Sequence, residues 1–414
     1  MQEVQAETQA TRSHLPLGGR TIMPGLASGH VVFHWVVQSF IVVLPEIQAA
    51  FGLSAVGVGG LLSAREVAAG VVALPGGVAV DIVRRYWGLL LAVCLGICAL
   101  GSLVIGVSPI YILLLIGIAG VAASHSIWHL PASSSLSYHY AQRRGMALSI
   151  HGVGGSIGDV AGPVVTGALL LLLTWRDLLS LYAAVPLILG VLALWAFRNI
   201  GRVTEEEESG ADMASRVAAT KQLLRNPALW GLMSVRGFRS MALVALVTIL
   251  PLYLDNDLGL SEWNRGFHIG LLIAVGLVAK TGAGYLSDRF GRKTVLVPGL
   301  VWSCIMALGL VVFDGGIMLT VTIALLGLFL YPDQPILTAT VFDVVGREVA
   351  STGLGVVAFA AFLMAAVASV IAGALYEWGG FPVAVYFIAA LFAVSAVVFL
   401  LLPVTNRPAE ARAD

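Results

Sequence analysis

Charged side chains are scarce in this chain, at 11% of 414 residues, against about 25% in soluble domains. That shortage excludes a water-facing globular surface. Lys plus Arg and Asp plus Glu number 23 each, so no positive excess is left to hold nucleic acid, and none is expected as a partner. Cysteine is rarer still. Cys94, Cys98 and Cys304 all lie in apolar stretches, which excludes a disulfide-built scaffold and points to packing. Cys94 and Cys98 fall four apart on one helix face, but two thiols without further ligands make no metal site. A Gly-xxxx-Gly-Lys-Ser/Thr loop is missing, so ATP is not expected as the fuel. Residues 1–20 are polar and lack the apolar core of a cleavable signal peptide, so the first apolar run is expected to serve as signal and anchor together.

Apolar residues are plentiful, 58% of the chain, with a mean hydropathy of +0.94. About 20 in a row cross a bilayer. The pattern predicts an all-α integral membrane protein with twelve spans, at 22–47, 54–80, 86–107, 109–137, 145–173, 177–199, 227–254, 262–286, 293–313, 317–342, 349–377 and 381–403. They divide into a tail (1–21), a six-helix bundle (22–199), a polar linker (200–226) containing Glu205 to Glu208, a second bundle (227–403) and a tail (404–414). With both termini inside, 17 of the 23 basic residues fall on the cytoplasmic side. Only Arg176 and Arg265 fall on the other side. This is the bias that orients membrane helices, and it implies a multi-pass protein of the inner (plasma) membrane with cytoplasmic termini and the lipid bilayer as its surroundings.

The two bundles repeat. Gly52-Leu53-Ser54 recurs as Gly259-Leu260-Ser261, and Gly77 and Asp81 recur as Gly284 and Asp288, each 207 residues on. Leu44-Pro45 recurs as Leu250-Pro251, and Trp175 pairs with Trp378. Six spans separate the copies, so the repeats are parallel, a known transporter plan with the binding site between the halves.

The loop Gly284-xxx-Asp288-Arg289-x-Gly291-Arg292-Lys293 closely resembles the most specific motif of the major facilitator superfamily, and the likeness extends over nearly the whole chain. The first-half copy keeps Gly77, Asp81 and Arg85 but has Ile82 and Arg84 where the pattern has a basic residue and glycine. The resemblance implies twelve helices in two parallel-repeat bundles, with these loops acting as cytoplasmic latches. Gly284 would admit a close neighbouring helix, Gly291 would take a positive φ, and Asp288 would sit against a helix N-terminus. The fifth span carries Gly154-xxx-Gly158-xxx-Gly162-Pro163-xxx-Gly167, a partial likeness to the antiporter motif of the superfamily; close helix packing alone explains it equally well. The stretch from Arg143 to Asp159 also resembles fosmidomycin-resistance type efflux transporters.

A charge at the centre of a span costs about 2.5–3.5 kcal/mol on insertion scales, so it faces protein or water and marks function. Seven are expected: Arg65, Glu66, Asp159, Arg236, Arg239, Lys280 and Asp333. All fall on spans that line the cavity or its gates in the superfamily. Arg236 and Arg239, three apart, could clamp a substrate anion or pair with Asp333 or Asp159. Arg65 and Glu66 are adjacent and point about 100° apart, which calls for separate partners. Asp333 lies between Pro332 and Pro335, where a broken helix exposes backbone groups. Lys280, one turn from the loop, could reach the interface.

His30, His34 and Gln38 share one face of span 1, and His125 and His129 share one face of span 4. With Arg65, Arg236, Arg239 and Asp333, the span 1 trio forms the candidate substrate site. Asp159, Glu66, His125 and His129 are the candidate proton carriers, since histidine titrates near neutrality. Histidines four apart could ligate a metal, but without the intervening Glu of the zinc-protease motif no metal or cofactor is expected. The reading is a monomeric secondary transporter, not an enzyme. It would move a small organic solute, anionic on the slight excess of basic groups in the spans, by alternating access on a proton gradient, with efflux by antiport ahead of uptake by symport. A transporter-like sensor that moves nothing is the competing class.

Overall fold

The computed structural model describes residues 17–198, 200–201, 225–345 and 350–403. Most of the expected linker, residues 1–16 of the expected N-terminal tail and the whole C-terminal tail fall outside these residues, and the first helix begins at Leu17, inside that expected tail. Every regular element among the described residues is helical: α1 (Leu17–Val42), α2 (Leu44–Phe51), α3 (Ala55–Ile82), α4 (Trp87–Val107), α5 (Tyr111–His139), α6 (Arg144–Leu169), α7 (Trp175–Tyr182), α8 (Ala184–Ala196), α9 (Pro227–Leu252), α10 (Glu262–Phe290), α11 (Arg292–Val312), α12 (Gly316–Leu330), α13 (Asp333–Val345) and α14 (Ala350–Leu401), with short 3₁₀ and π turns between.

Among the described residues, ten helical stretches are long and apolar enough to cross a membrane. Two adjustments raise these to twelve. The glycines of α6, with His151 and Asp159, dilute its apolarity, although its 26 residues are long enough to span. The 52 residues of α14 would reach about 78 Å, more than twice the hydrocarbon thickness. The chain breaks there at Gly379 and Gly380, where Gly380 takes φ +72°. Spans 6 and 10 each consist of two helices, α7 with α8 and α12 with α13.

The internal repeat reaches down to backbone angles. Gly52 and Gly259, at equivalent positions, have φ +59° and +58°. Each is followed two residues later by a serine that caps the next helix: Ser54 Oγ accepts from Gly57 N, and Ser261 Oγ accepts from Asn264 N.

Each half has its own apolar core, one running from Ile22 to Ile200, which Val244, Leu252 and Ala365 of the second half also join, and one from Leu229 to Leu402. A small cluster of Ile41, Val42, Val247, Ile269 and Ile273 joins them. On α4 the exposed residues Leu89, Val93, Ile97, Leu100, Leu103 and Val107 form one stripe at helical spacing. On α8 Leu187, Ile188, Val191, Leu194 and Trp195 are exposed likewise. These are faces suited to lipid.

A polar cavity between the two halves

A cavity of about 260 Å³ lies between the halves, with Gln38, Arg65, Glu66, His125 and His129 from the first and Val244, Val247, Tyr331 and Phe362 from the second. Glu66 is buried, and Arg65 donates to it from Nε at 2.9 Å. The expectation that these neighbours need separate partners is corrected. Their side chains are long enough to close the 100° separation, so the pair satisfies itself inside the apolar wall.

Next to this wall, α1, α5 and α6 assemble five imidazoles. His34 Nδ1 bonds Asp159 at 2.7 Å, and Gln38 Nε2 donates to the same oxygen at 2.9 Å. His30 Nδ1 donates to the His151 carbonyl at 2.6 Å, while the two rings stack at 4.0 Å. His125 and His129 meet through Nε2 atoms 3.0 Å apart. The glycine motif of α6 makes this approach possible. A Cβ on Gly158 would press on Val31 and His34, and one on Gly155 on the His30 ring. Gly154 faces Ala27, Gly162 faces Trp35, and Gly167 meets Gly266 of the other half. Packing thus accounts for the spacing, with Pro163 inside the helix. His151 was missed as a site residue, although His151, Gly155 and Asp159 lie four apart on one face.

The expected arginine clamp is split. Arg239 is buried, pairs with Asp333, and donates to the Leu330 carbonyl. That carbonyl ends α12, and Asp333 opens α13, where the helix dipole favours an anion. Arg239 therefore closes a helix break and is not free for a solute. Arg236 lies apart from it, beside Lys280, Gln334 and Thr338 in an open pocket of about 410 Å³.

In the second loop, Gly291 has φ +96°, as expected. Arg292 pairs with Asp288 and with Asp343, and donates to Ser287 Oγ. Arg289 donates to Tyr285 at 3.2 Å and Lys293 to the Leu400 carbonyl at 2.9 Å. These partners all belong to the second half. Gly284 does not admit a neighbour, because a Cβ there would meet open space, as would one on Gly282. In the first loop, Arg84 lies over the Tyr138 ring and Arg85 over Tyr86. Gly77 and Asp81 fall at the end of α3, in residues 77–82, where the structure describes the backbone alone.

The halves are bonded to each other at the end opposite these loops, called here the far end. Arg265, fully buried, pairs with Glu46 of the first half and Asp255 of the second. Asn256 donates to Gln48 at 3.0 Å, and Val56 N to Glu377 at 2.7 Å. Gly59 and Gly373 let α3 and α14 pack backbone to backbone. Sequence reasoning counted Arg265 on the outer side, at the start of span 8, and missed this network, since its three members are spread over 219 residues.

The Major Facilitator Superfamily pattern matches residues 26–283 and 276–414. This chain belongs to that superfamily of membrane transporters. It is 26% identical over 308 residues to the uncharacterized MFS-type transporter YfnC of Bacillus subtilis (strain 168), covering 73% of this chain and 74% of that one. It is 28% identical over 185 residues to the uncharacterized MFS-type transporter YcaD of Escherichia coli (strain SE11), covering 43% and 44%. Among solved structures, a bacterial homolog of the human lysosomal transporter Spinster, inward-facing and occupied, superposes with a TM-score of 0.76 at 15% identity, over 92% of this chain and 96% of that one. A D-xylose-proton symporter superposes at 0.74 with 14% identity, over 93% and 98%. These likenesses establish the fold.

Proposed function

We propose that this transporter carries a small organic anion through the interhalf cavity, coupled to protons, by alternating access. The observation that carries the reading is the buried Arg65–Glu66 pair in the cavity wall, beside Gln38 and the Asp159–His34 pair. A guanidinium in a site poor in water binds carboxylate or phosphonate strongly. The cavity is small, so the solute is small. The bonds gathered at the far end support an inward-open conformation, with the termini and basic loops in the cytoplasm of the inner membrane.

Two directions of coupling have separate support. The α6 glycines and Pro163, and the resemblance to fosmidomycin-resistance type transporters, support efflux by antiport. The Arg65–Glu66 contact supports symport: an anion that takes Arg65 leaves Glu66 without a partner, and a proton then neutralises it.

The test is a proteoliposome assay with a pH-sensitive dye inside and a panel of carboxylates, phosphonates and cationic drugs outside. Anions are expected to drive proton flux, and the sign of the pH change separates antiport from symport. Arg65→Gln is expected to lower the flux at least tenfold. A response to cations alone overturns the anion reading. Flux that persists in Glu66→Gln and Asp159→Asn combined overturns the coupling.

A further inference from the structure

We infer that His30, His34, His125 and His129 form a binding site for one first-row transition-metal dication of the Zn²⁺, Ni²⁺ and Co²⁺ class. One ring nitrogen from each of the four lies within 4.8 Å of one from every other. A tetrahedral ion bound at about 2.0–2.1 Å holds its nitrogens about 3.4 Å apart. Side-chain rotation of about 1 Å therefore brings the set to ligand distance, and the His125–His129 pair is already at 3.0 Å.

The ring orientations supply the second argument. A carbonyl oxygen only accepts, so His30 donates from Nδ1 to His151, and His34 donates from Nδ1 to the Asp159 carboxylate. In its neutral form each ring then carries a lone pair on Nε2, and both Nε2 atoms are buried without a partner. An imidazole that donates from one nitrogen to a carboxylate or carbonyl and offers the other is the arrangement that orients metal ligands. His268 shows the contrast within the same chain. Its Nδ1 bonds Asn264 O at 2.7 Å and its Nε2 bonds Thr320 at 2.9 Å, so its polar needs are met.

Charge and access agree with this assignment. Asp159 supplies one negative charge beside the ligands, while Glu66 is occupied by Arg65. His125 and His129 line the central cavity, so an ion reaches the site without crossing lipid. Four imidazoles favour borderline metals over Mg²⁺ and Ca²⁺, which prefer oxygen. The site goes beyond the reading of the transported solute and does not depend on it.

Equilibrium binding to purified protein without a polyhistidine tag tests it, after stripping with chelator. One Zn²⁺ per chain is expected, uncompeted by excess Mg²⁺, and Co²⁺ is expected to give the visible absorption of a tetrahedral nitrogen site. His34→Ala and His129→Gln are expected to weaken Zn²⁺ binding at least tenfold, and Asp159→Asn about 10–100-fold through loss of the supporting carboxylate. His268→Gln is expected to bind as the parent does. Thermal unfolding of each variant without metal shows which remain folded, and the Co²⁺ spectrum of the parent needs no variant. Absence of stoichiometric binding, a Co²⁺ spectrum of octahedral type, or folded ligand variants with parental affinity would each overturn the site.

Discussion

Arg239 and Asp333 show how a buried charge can be structural even on a cavity-lining helix. Their ion pair and the bond to the Leu330 carbonyl replace the backbone bonds lost where α12 gives way to α13. Arg239→Met leaves Asp333 buried and unpaired, at a cost of about 3–5 kcal/mol. A large fall in the detergent unfolding temperature is expected, recovered mostly by Arg239→Met with Asp333→Leu. A double variant no more stable than the single would show that the pair is not the determinant. Arg65 and Glu66 were found from sequence as charges in an apolar run, but their mutual bond was not, because helix geometry gives the direction of Cβ and not the reach of the chain beyond it. Gly291 was legible in full. Its φ of +96° with ψ 154° lies where essentially only glycine sits. Gly291→Ala is expected to destabilise by about 1–3 kcal/mol, measurable by unfolding temperature, with Gly282→Ala, whose Cβ meets open space, as the comparison.

At the scale of elements, α6 depends on its small residues. Gly154, Gly158 and Gly162 bring its backbone against Ala27, Val31 and Trp35 of α1, and this close approach is what sets His34 on Asp159. Gly158→Val has to push α1 away, so it is expected to lose both folded yield and binding in the cavity. Gly152→Ala, which faces open space, is expected to match the parent. Size-exclusion profiles in detergent check both, and a well-folded Gly158→Val would remove the packing argument. The glycine spacing was visible in the sequence. That its partner is α1 was not, because a stripe of glycines permits close approach without naming the helix that approaches.

For the molecule as a whole, alternating access requires the far end to open. Gln48 and Asn256 are bonded across the halves there. A Gln48→Cys, Asn256→Cys variant is expected to crosslink under mild oxidant, to stop transport, and to recover it on reduction. Full transport by the crosslinked protein would mean that this end stays shut throughout the cycle. The bonds of the second loop described above lie within its own half, and the flank at Val278, Lys280 and Tyr285 is exposed. The proposed inward-open conformation accounts for this and for the open space at Gly284.

The sequence alone determined that the chain spans a membrane, that it is built from a parallel repeat, and which helices carry charge. Hydropathy, turn glycines and the cost of burying charge act locally and leave marks in single segments. The tertiary structure decided which charges neutralise each other, that the histidines of α1 and α5 converge beside Asp159 of α6, and that Arg265 ties the two halves at the far end. Arg65 and Glu66 are adjacent, but Arg239 and Asp333 lie 94 residues apart, His34 and Asp159 125, and Arg265 and Glu46 219. Proximity over such separations arises from helix packing, which the order of residues encodes only through all the contacts together.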